Sequence, residues 1–323
     1  MEKLEFNKIV SVEQPNICQI VCYKDNKKIY SDVWNDYKEN DSVHIMSATK
    51  SIVSLLIGIC VDKNLIKSID DKILDFFPEY KVKKGEKTIY DITIKHLMTM
   101  KAPLKCKYDP WTKVCSSDDW TTSSLDFIGG RKGITNEFKY NTVCLHVLTG
   151  IIAKVNNMTP VEFANEYLFK PLGIQEHKNY LAETAEEHKE FTMSKTPKEH
   201  IWFCDPQGVG TAGYGLCMSA DDLARIGLLV LNNGKYNNKQ IASEQWIKEM
   251  TKETQITDDQ FRNMSYGLLW WIIDKEKEIY AAIGNSGNVI YVNNSNNFVC
   301  GVTGYFKPTI FDRVDFIQKY LDK

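Results

Sequence analysis

Residues 48–61 constrain the fold more than any other stretch of the chain. Ile52, Val53, Leu55, Leu56, Ile59 and Val61 would put apolar side chains on nearly every face of a helix. A helix apolar all round is stable only when enclosed, so the rest of the chain has to build layers around it. Its longest apolar run is interrupted by Ser54 and Gly58 and falls well short of the roughly 20 consecutive apolar residues that span a bilayer. It therefore reads as a central core helix. With 323 residues, 43% of them apolar and 11% aromatic, the chain has the material to bury a large core and is expected to be soluble and globular.

The signals around that helix change in type along the chain. Residues 17–23 and 29–34 are rich in β-branched and apolar side chains, and the turn-forming run Asp25-Asn26-Lys27-Lys28 joins them into a predicted hairpin. From about 64 to 200 the spacing is mostly helical, as at 92–98, 143–155 and 161–168. Residues 101–135, full of Lys, Asp, Ser, Thr, Gly and Trp, read as one long irregular loop, and a loop of that length in a compact domain is often functional. Ser219 and Asp222 have capping-box spacing ahead of a helix reaching Leu231, which Asn232-Asn233-Gly234 ends. Strands are predicted again at 266–273, 279–283, 289–292 and 298–302, then a terminal helix through Ile310, Phe311, Val314, Ile317 and Leu321. An early hairpin far from later ones implies one mostly antiparallel sheet built from both ends of the chain. The expected fold class is α/β in the α+β sense: an antiparallel sheet flanked by helices, with an inserted all-helical domain. Residues 1–65 and 200–323 would form the sheet domain and 66–199 the insertion.

The core helix opens on Ser47-Ala48-Thr49-Lys50, the one S-x-x-K in the chain. A serine hydroxyl is a weak nucleophile until a base takes its proton. Residues three apart on a helix share a face, so the Lys50 amine can reach the Ser47 hydroxyl. An ammonium beside an apolar helix is costly, which lowers the lysine pKa and makes the neutral amine accessible. At a helix start, Ser47 also lies where backbone N–H groups can hold a developing oxyanion. An S-x-x-K can equally be a helix cap with a solvated lysine, but an exposed cap suits an amphipathic helix, and this helix is not one.

The segment SATKSIVSLLIGICVDK resembles the first motif of the serine β-lactamase and penicillin-recognising superfamily, on its class C, esterase and D-aminopeptidase-like branch. The resemblance continues through residues 92–104, 137–155, 168–174, 210–235, 266–272 and 281–304. It implies a β-lactamase/transpeptidase-like fold. The family's Y-x-N motif is matched by Tyr140-Asn141-Thr142, with a threonine hydroxyl where the family has an amide. Tyr140 would then be a second basic group, as phenolate or proton relay, and Thr142 would bond Lys50 or substrate. The family's Lys-Thr-Gly or His-x-Gly motif, on a strand edging the site, is matched by Asn285-Ser286-Gly287. Asn285 replaces a cation and weakens any grip on a substrate carboxylate. Gly287 still permits close backbone approach, and the resemblance implies that the Asn288 N–H completes an oxyanion hole with that of Ser47. Ala102-Pro103 and Lys132-Gly133 also depart from the family pattern, in loop shape only.

Other motifs carry less. Gly284-Asn285-Ser286-Gly287-Asn288 misses G-x-S-x-G at its last position, a strand rather than a helix follows it, and no histidine is an evident partner for Ser286. Gly208-Val209-Gly210-Thr211-Ala212-Gly213 fits G-x-G-x-x-G but lacks the βαβ setting and reads as loop glycines. The nine cysteines are scattered, with no C-x-x-C pair or zinc spacing, and read as buried reduced thiols. Asp118-Asp119 and Asp221-Asp222 read as caps and solvated charges, and the sequons at Asn157 and Asn263 carry little without a secretion signal. A net charge of −2 gives no reason to expect nucleic acid or an acidic membrane surface as partner. The start of the chain does not resemble a secretory leader, so a cytoplasmic location is expected. The expected activity is a serine hydrolase forming an acyl-enzyme on Ser47 with small ester, amide or peptide substrates. No metal or organic cofactor is implied. Because two of three motifs are altered, the alternative is a catalytically silent penicillin-binding-like protein that binds a peptide or partner.

Overall fold

A computed structural model of the chain describes residues 3–308 and 313–323. Its centre is an eight-stranded antiparallel sheet. The strands are β1 (Ile17–Lys24), β2 (Lys27–Val33), β3 (Gln255–Ile256), β4 (Ser265–Tyr266), β5 (Trp271–Asp274), β6 (Ile279–Gly284), β7 (Asn288–Asn293) and β8 (Phe298–Gly304), and they lie in the order β2-β1-β8-β7-β6-β5-β4-β3. The first strand thus pairs with the last, Cys22 opposite Cys300 and Val21 opposite Gly301. The β1–β2 hairpin turns at Asp25 and Asn26, both at positive φ, a conformation that short polar side chains tolerate.

Helices cover both faces of the sheet. The main ones are α1 (Lys3–Glu13), α2 (Thr49–Asp62), α3 (His146–Asn156), α4 (Ala220–Leu231) and α5 (Val314–Tyr320). The capping box expected at the start of α4 is present, Ser219 accepting from the Asp222 N–H and Asp222 from the Ser219 N–H. Helix α4 lies on β8, β7 and β1, and it can come so close because a Cβ on Gly301 would sit 2.2 Å from the Ala220 carbonyl oxygen. On the other face Phe6 of α1 packs its ring among Tyr30, Trp34, Phe316 and Tyr320. Helix α2 is buried from Thr49 to Cys60, the enclosure its all-round apolar sequence demands.

Several local expectations need correction. The strand expected over 266–273 is two short strands, because Leu269 takes a φ of +61° and redirects the chain; its carbonyl accepts from the Ser51 hydroxyl at 2.6 Å. The loop at 101–135 contains two short helices, Trp111–Cys115 and Trp120–Leu125, the second capped by Asp119. Asn285-Ser286-Gly287 is not on a strand but forms the tight turn between β6 and β7, with Ser286 and Gly287 both at positive φ. Ile310 and Phe311 of the expected terminal helix lie outside the described residues. Among the described residues no helix is long and apolar enough to cross a membrane.

Candidate active site

Ser47 follows a forced bend. Buried Met46 has a φ of +53°, a left-handed conformation that costs a residue with a Cβ about 1–2 kcal/mol. The Thr49 hydroxyl fastens the bend by donating to the Met46 carbonyl at 2.8 Å. A short 3-10 turn, Met46–Ala48, then leads into α2 and leaves Ser47 half-buried at the helix start.

Lys50 is 1% exposed. Its Nζ lies 3.0 Å from Ser47 Oγ and 3.3 Å from Thr142 Oγ1, and it donates to the Gly213 carbonyl at 2.7 Å. Burial pushes its pKa down to about 7, while the Asp109 carboxylate pulls it upward. The neutral amine is therefore well populated at neutral pH, as a group that must accept a proton from serine requires.

Tyr140 meets this pair from far along the chain. Its ring centroid is 4.9 Å from the Lys50 Nζ, and the ring is held between Phe261 at 5.2 Å and Trp271 at 6.1 Å. Burial drives the phenol pKa up, its hydrogen bond with the Ser47 hydroxyl pulls it down, and Asp109 raises it further. The net rise keeps the phenol protonated at neutral pH. A phenol so raised can donate a proton but offers little phenolate at neutral pH.

Two neighbours of this pair lie outside the three motifs that mark the site in the sequence. Asp109 lies in the long loop, and its carboxylate accepts from the Thr142 N–H at 3.2 and 3.0 Å and from the Val143 N–H at 3.4 Å. It fixes the backbone that presents the Thr142 hydroxyl to Lys50. Gly213 supplies the carbonyl that holds Lys50, and a Cβ there would sit 2.4 Å from the Thr142 carbonyl oxygen. The glycine-rich loop at 208–213 thus has a packing reason for its last glycine, which a spacing pattern alone does not reveal. Replacing Asp109 by Asn keeps an acceptor for the Thr142 N–H but removes the charge that raises the Lys50 pKa. The acid limb of the kcat/KM profile is expected to move to lower pH, by roughly half a unit. A limb that stays in place or moves upward in a pH–rate measurement would contradict the coupling.

The third motif is only partly brought to the site. Asn285 is half-buried, and its side-chain carbonyl accepts from the Ser286 N–H at 2.6 Å. Ser286, Gly287 and Asn288 are buried. Ser286 Oγ accepts from the Lys307 N–H at 2.9 Å, and its carbonyl accepts from Asn16 Nδ2 and Arg313 Nη2. The Arg313 side chain fills the space beside Gly287. The Asn288 side chain bonds the His44 and Asn285 carbonyls and accepts from the Gly304 N–H. These three residues brace the turn from behind. The backbone that presses on the Ser47 segment is that of Gly284, where a Cβ would lie 2.1 Å from the Ile45 carbonyl oxygen and 3.1 Å from the Ala48 nitrogen.

Comparison with known proteins finds relatives over most of the chain. A family model described as Beta-lactamase matches residues 18–308. The chain is 22% identical over 280 residues to a 6-aminohexanoate-dimer hydrolase from Paenarthrobacter ureafaciens, an overlap of 80% of this chain and 64% of that protein, so the chain spans less than two thirds of the length of this curated relative. Among solved structures it is similar to a family VIII carboxylesterase, with a TM-score of 0.69 at 13% identity over 98% of this chain and 94% of the other. It is also similar to a D-stereospecific amidohydrolase from a Streptomyces species, with a TM-score of 0.66 at 12% identity over 95% and 94% of the two chains. At such identities these structural likenesses establish a shared fold.

Proposed function

The chain belongs to the β-lactamase family of hydrolases, and from that premise we propose that it cleaves small amides or esters through an acyl-enzyme on Ser47. The supporting observation is the buried Lys50 amine, its pKa near 7, at 3.0 Å from the Ser47 hydroxyl. The neutral amine takes the hydroxyl proton as Oγ attacks the substrate carbonyl carbon. The protonated Tyr140 phenol, hydrogen-bonded to Ser47, gives its proton to the leaving nitrogen or oxygen as that bond breaks, and the proton gathered by Lys50 replaces it. Water then attacks the acyl carbon by the reverse relay, releasing the acid and restoring Ser47.

The developing oxyanion would be received by the peptide N–H groups of Ser47 and Asn285. This assigns to Asn285, next to the Gly284 backbone that abuts the Ser47 segment, the role the family resemblance gave to Asn288. A neutral Asn285 in place of a cation supports uncharged amides and esters over carboxylate-bearing β-lactams as substrates. The names of the similar hydrolases point to the same bond types.

A fluorophosphonate probe tests the reading. Intact-mass analysis is expected to find one adduct per chain, absent from Ser47→Ala, together with turnover of nitrophenyl esters or anilides. An adduct without turnover of any ester or amide would favour a silent binding protein, and no Ser47-dependent adduct would end the proposal.

A further inference from the structure

A concave surface lies beside the segment that carries Tyr140. Residues 135–140 run along it without helix or strand, and over 137–140 their side chains alternate between the groove and the interior. Phe138 and Tyr140 turn inward, Phe138 against Phe261 and Tyr266, Tyr140 against Phe261 and Trp271. Thr135, Glu137 and Lys139 line a groove of about 630 Å³ on the opposite side. That volume lies within the range of small-molecule sites, roughly 300–1,000 Å³.

The groove is cationic although the chain has a net charge of −2. Lys83, Lys84, Lys105, Arg131, Lys132 and Lys139 line it, against the carboxylates of Glu86 and Glu137. Some of that charge is already committed. Lys83 pairs with Asp126 at 2.8 Å, Lys105 with Glu86 at 3.3 Å, and Lys139 Nζ donates to the Cys106 carbonyl. Lys84, Arg131 and Lys132 are exposed, and among the described residues none of them has a carboxylate partner. They come from two separate segments, 83–86 and 129–132, that the Glu86 carboxylate ties together by accepting from the Gly130 N–H at 3.3 Å. Between them run Ala102, Pro103 and Leu104, an apolar stretch that offers little competing hydration. Unpaired cations in a concavity focus the local potential and concentrate anions there, and the Arg131 fork suits planar or tetrahedral oxyanions.

We propose that this groove binds a small molecule carrying two or more negative charges, phosphate or carboxylate, at a site that none of Ser47, Lys50 and Tyr140 lines. The inference does not depend on the catalytic reading. Calorimetric titration at low salt with inorganic pyrophosphate and, separately, citrate tests it. Saturable binding of at least one of them is expected, unchanged in Ser47→Ala. It should weaken roughly tenfold or more in the Arg131→Glu/Lys132→Glu double variant and again in Lys84→Glu on the facing segment. Tighter pyrophosphate binding would assign phosphate chemistry to the ligand, and tighter citrate binding carboxylate chemistry. Absence of saturation with both anions, or dissociation constants unmoved by all three charge reversals, overturns the proposal. These exposed side chains carry no core packing, so the variants are expected to fold.

Discussion

Ser47→Ala is expected to lower kcat/KM for a nitrophenyl ester by roughly ten-thousand-fold, to a residual rate set by substrate positioning and the oxyanion donors alone. The size follows from the mechanism: without the hydroxyl no acyl-enzyme forms, and the Lys50 amine and Tyr140 phenol have no serine proton to move. The fold should survive, because Ser47 is half-buried and the bend is fastened by Thr49 instead. Thermal unfolding of the variant should therefore match the parent closely. Hydrolysis within tenfold of the parent by a well-folded Ser47→Ala protein would show that the nucleophile lies elsewhere.

Lys50→Met is expected to separate activity from stability. The rate should fall roughly a thousandfold, the contribution of a well-placed general base. Stability at neutral pH should rise by about 2 kcal/mol, the scale on which relief of a strained catalytic group repays the fold. The pH dependence carries the diagnosis. Burial holds the folded pKa of Lys50 at about 7, below the ordinary lysine value of 10.5. Between those values the unfolded chain binds a proton that the folded chain lacks, so the unfolding free energy of the parent climbs with pH across that window. Below about pH 7 the burial penalty on the ammonium is fully present, and near 10.5 it has vanished. Chemical denaturation of parent and variant from pH 6 to 10 should show a gap that is widest at the acid end and closes toward the alkaline end. A constant gap, or one that widens with pH, would mean that Lys50 keeps an ordinary pKa, and the proposed base would lose its footing.

Much of the frame is legible in the residues themselves. A helix with Ile52, Val53, Leu55, Leu56 and Ile59 on successive faces has to be enclosed, and α2 is. The spacing of Ser219 and Asp222 announces a capped helix, and α4 begins there. Local bonding and burial of one element decide such features, so periodicity reports them. Where a distant partner intervenes, the periodicity misleads. The apolar run at 266–273 has the composition of one strand, but a left-handed turn at Leu269 breaks it and lets its carbonyl meet Ser51. The family resemblance put residues 285–287 on a strand, but they form the turn after β6, where the Arg313 side chain and the Lys307 N–H claim the space behind them.

The proposed site divides in the same way. The helix period alone brings Ser47 and Lys50 onto one face, and the apolar helix beneath them makes the lysine's charge expensive, so this much belongs to the sequence. Nothing local brings the carbonyl of Gly213, the carboxylate of Asp109 or the ring of Tyr140 to that amine, for they arrive from residues 59 to 163 positions away. Tertiary packing alone selects which carbonyl holds the lysine and how far the phenol is dried. The proton affinities of the Lys50 amine and the Tyr140 phenol depend on those long-range contacts, because the cost of a charge depends on everything around it and not on its neighbours in the chain.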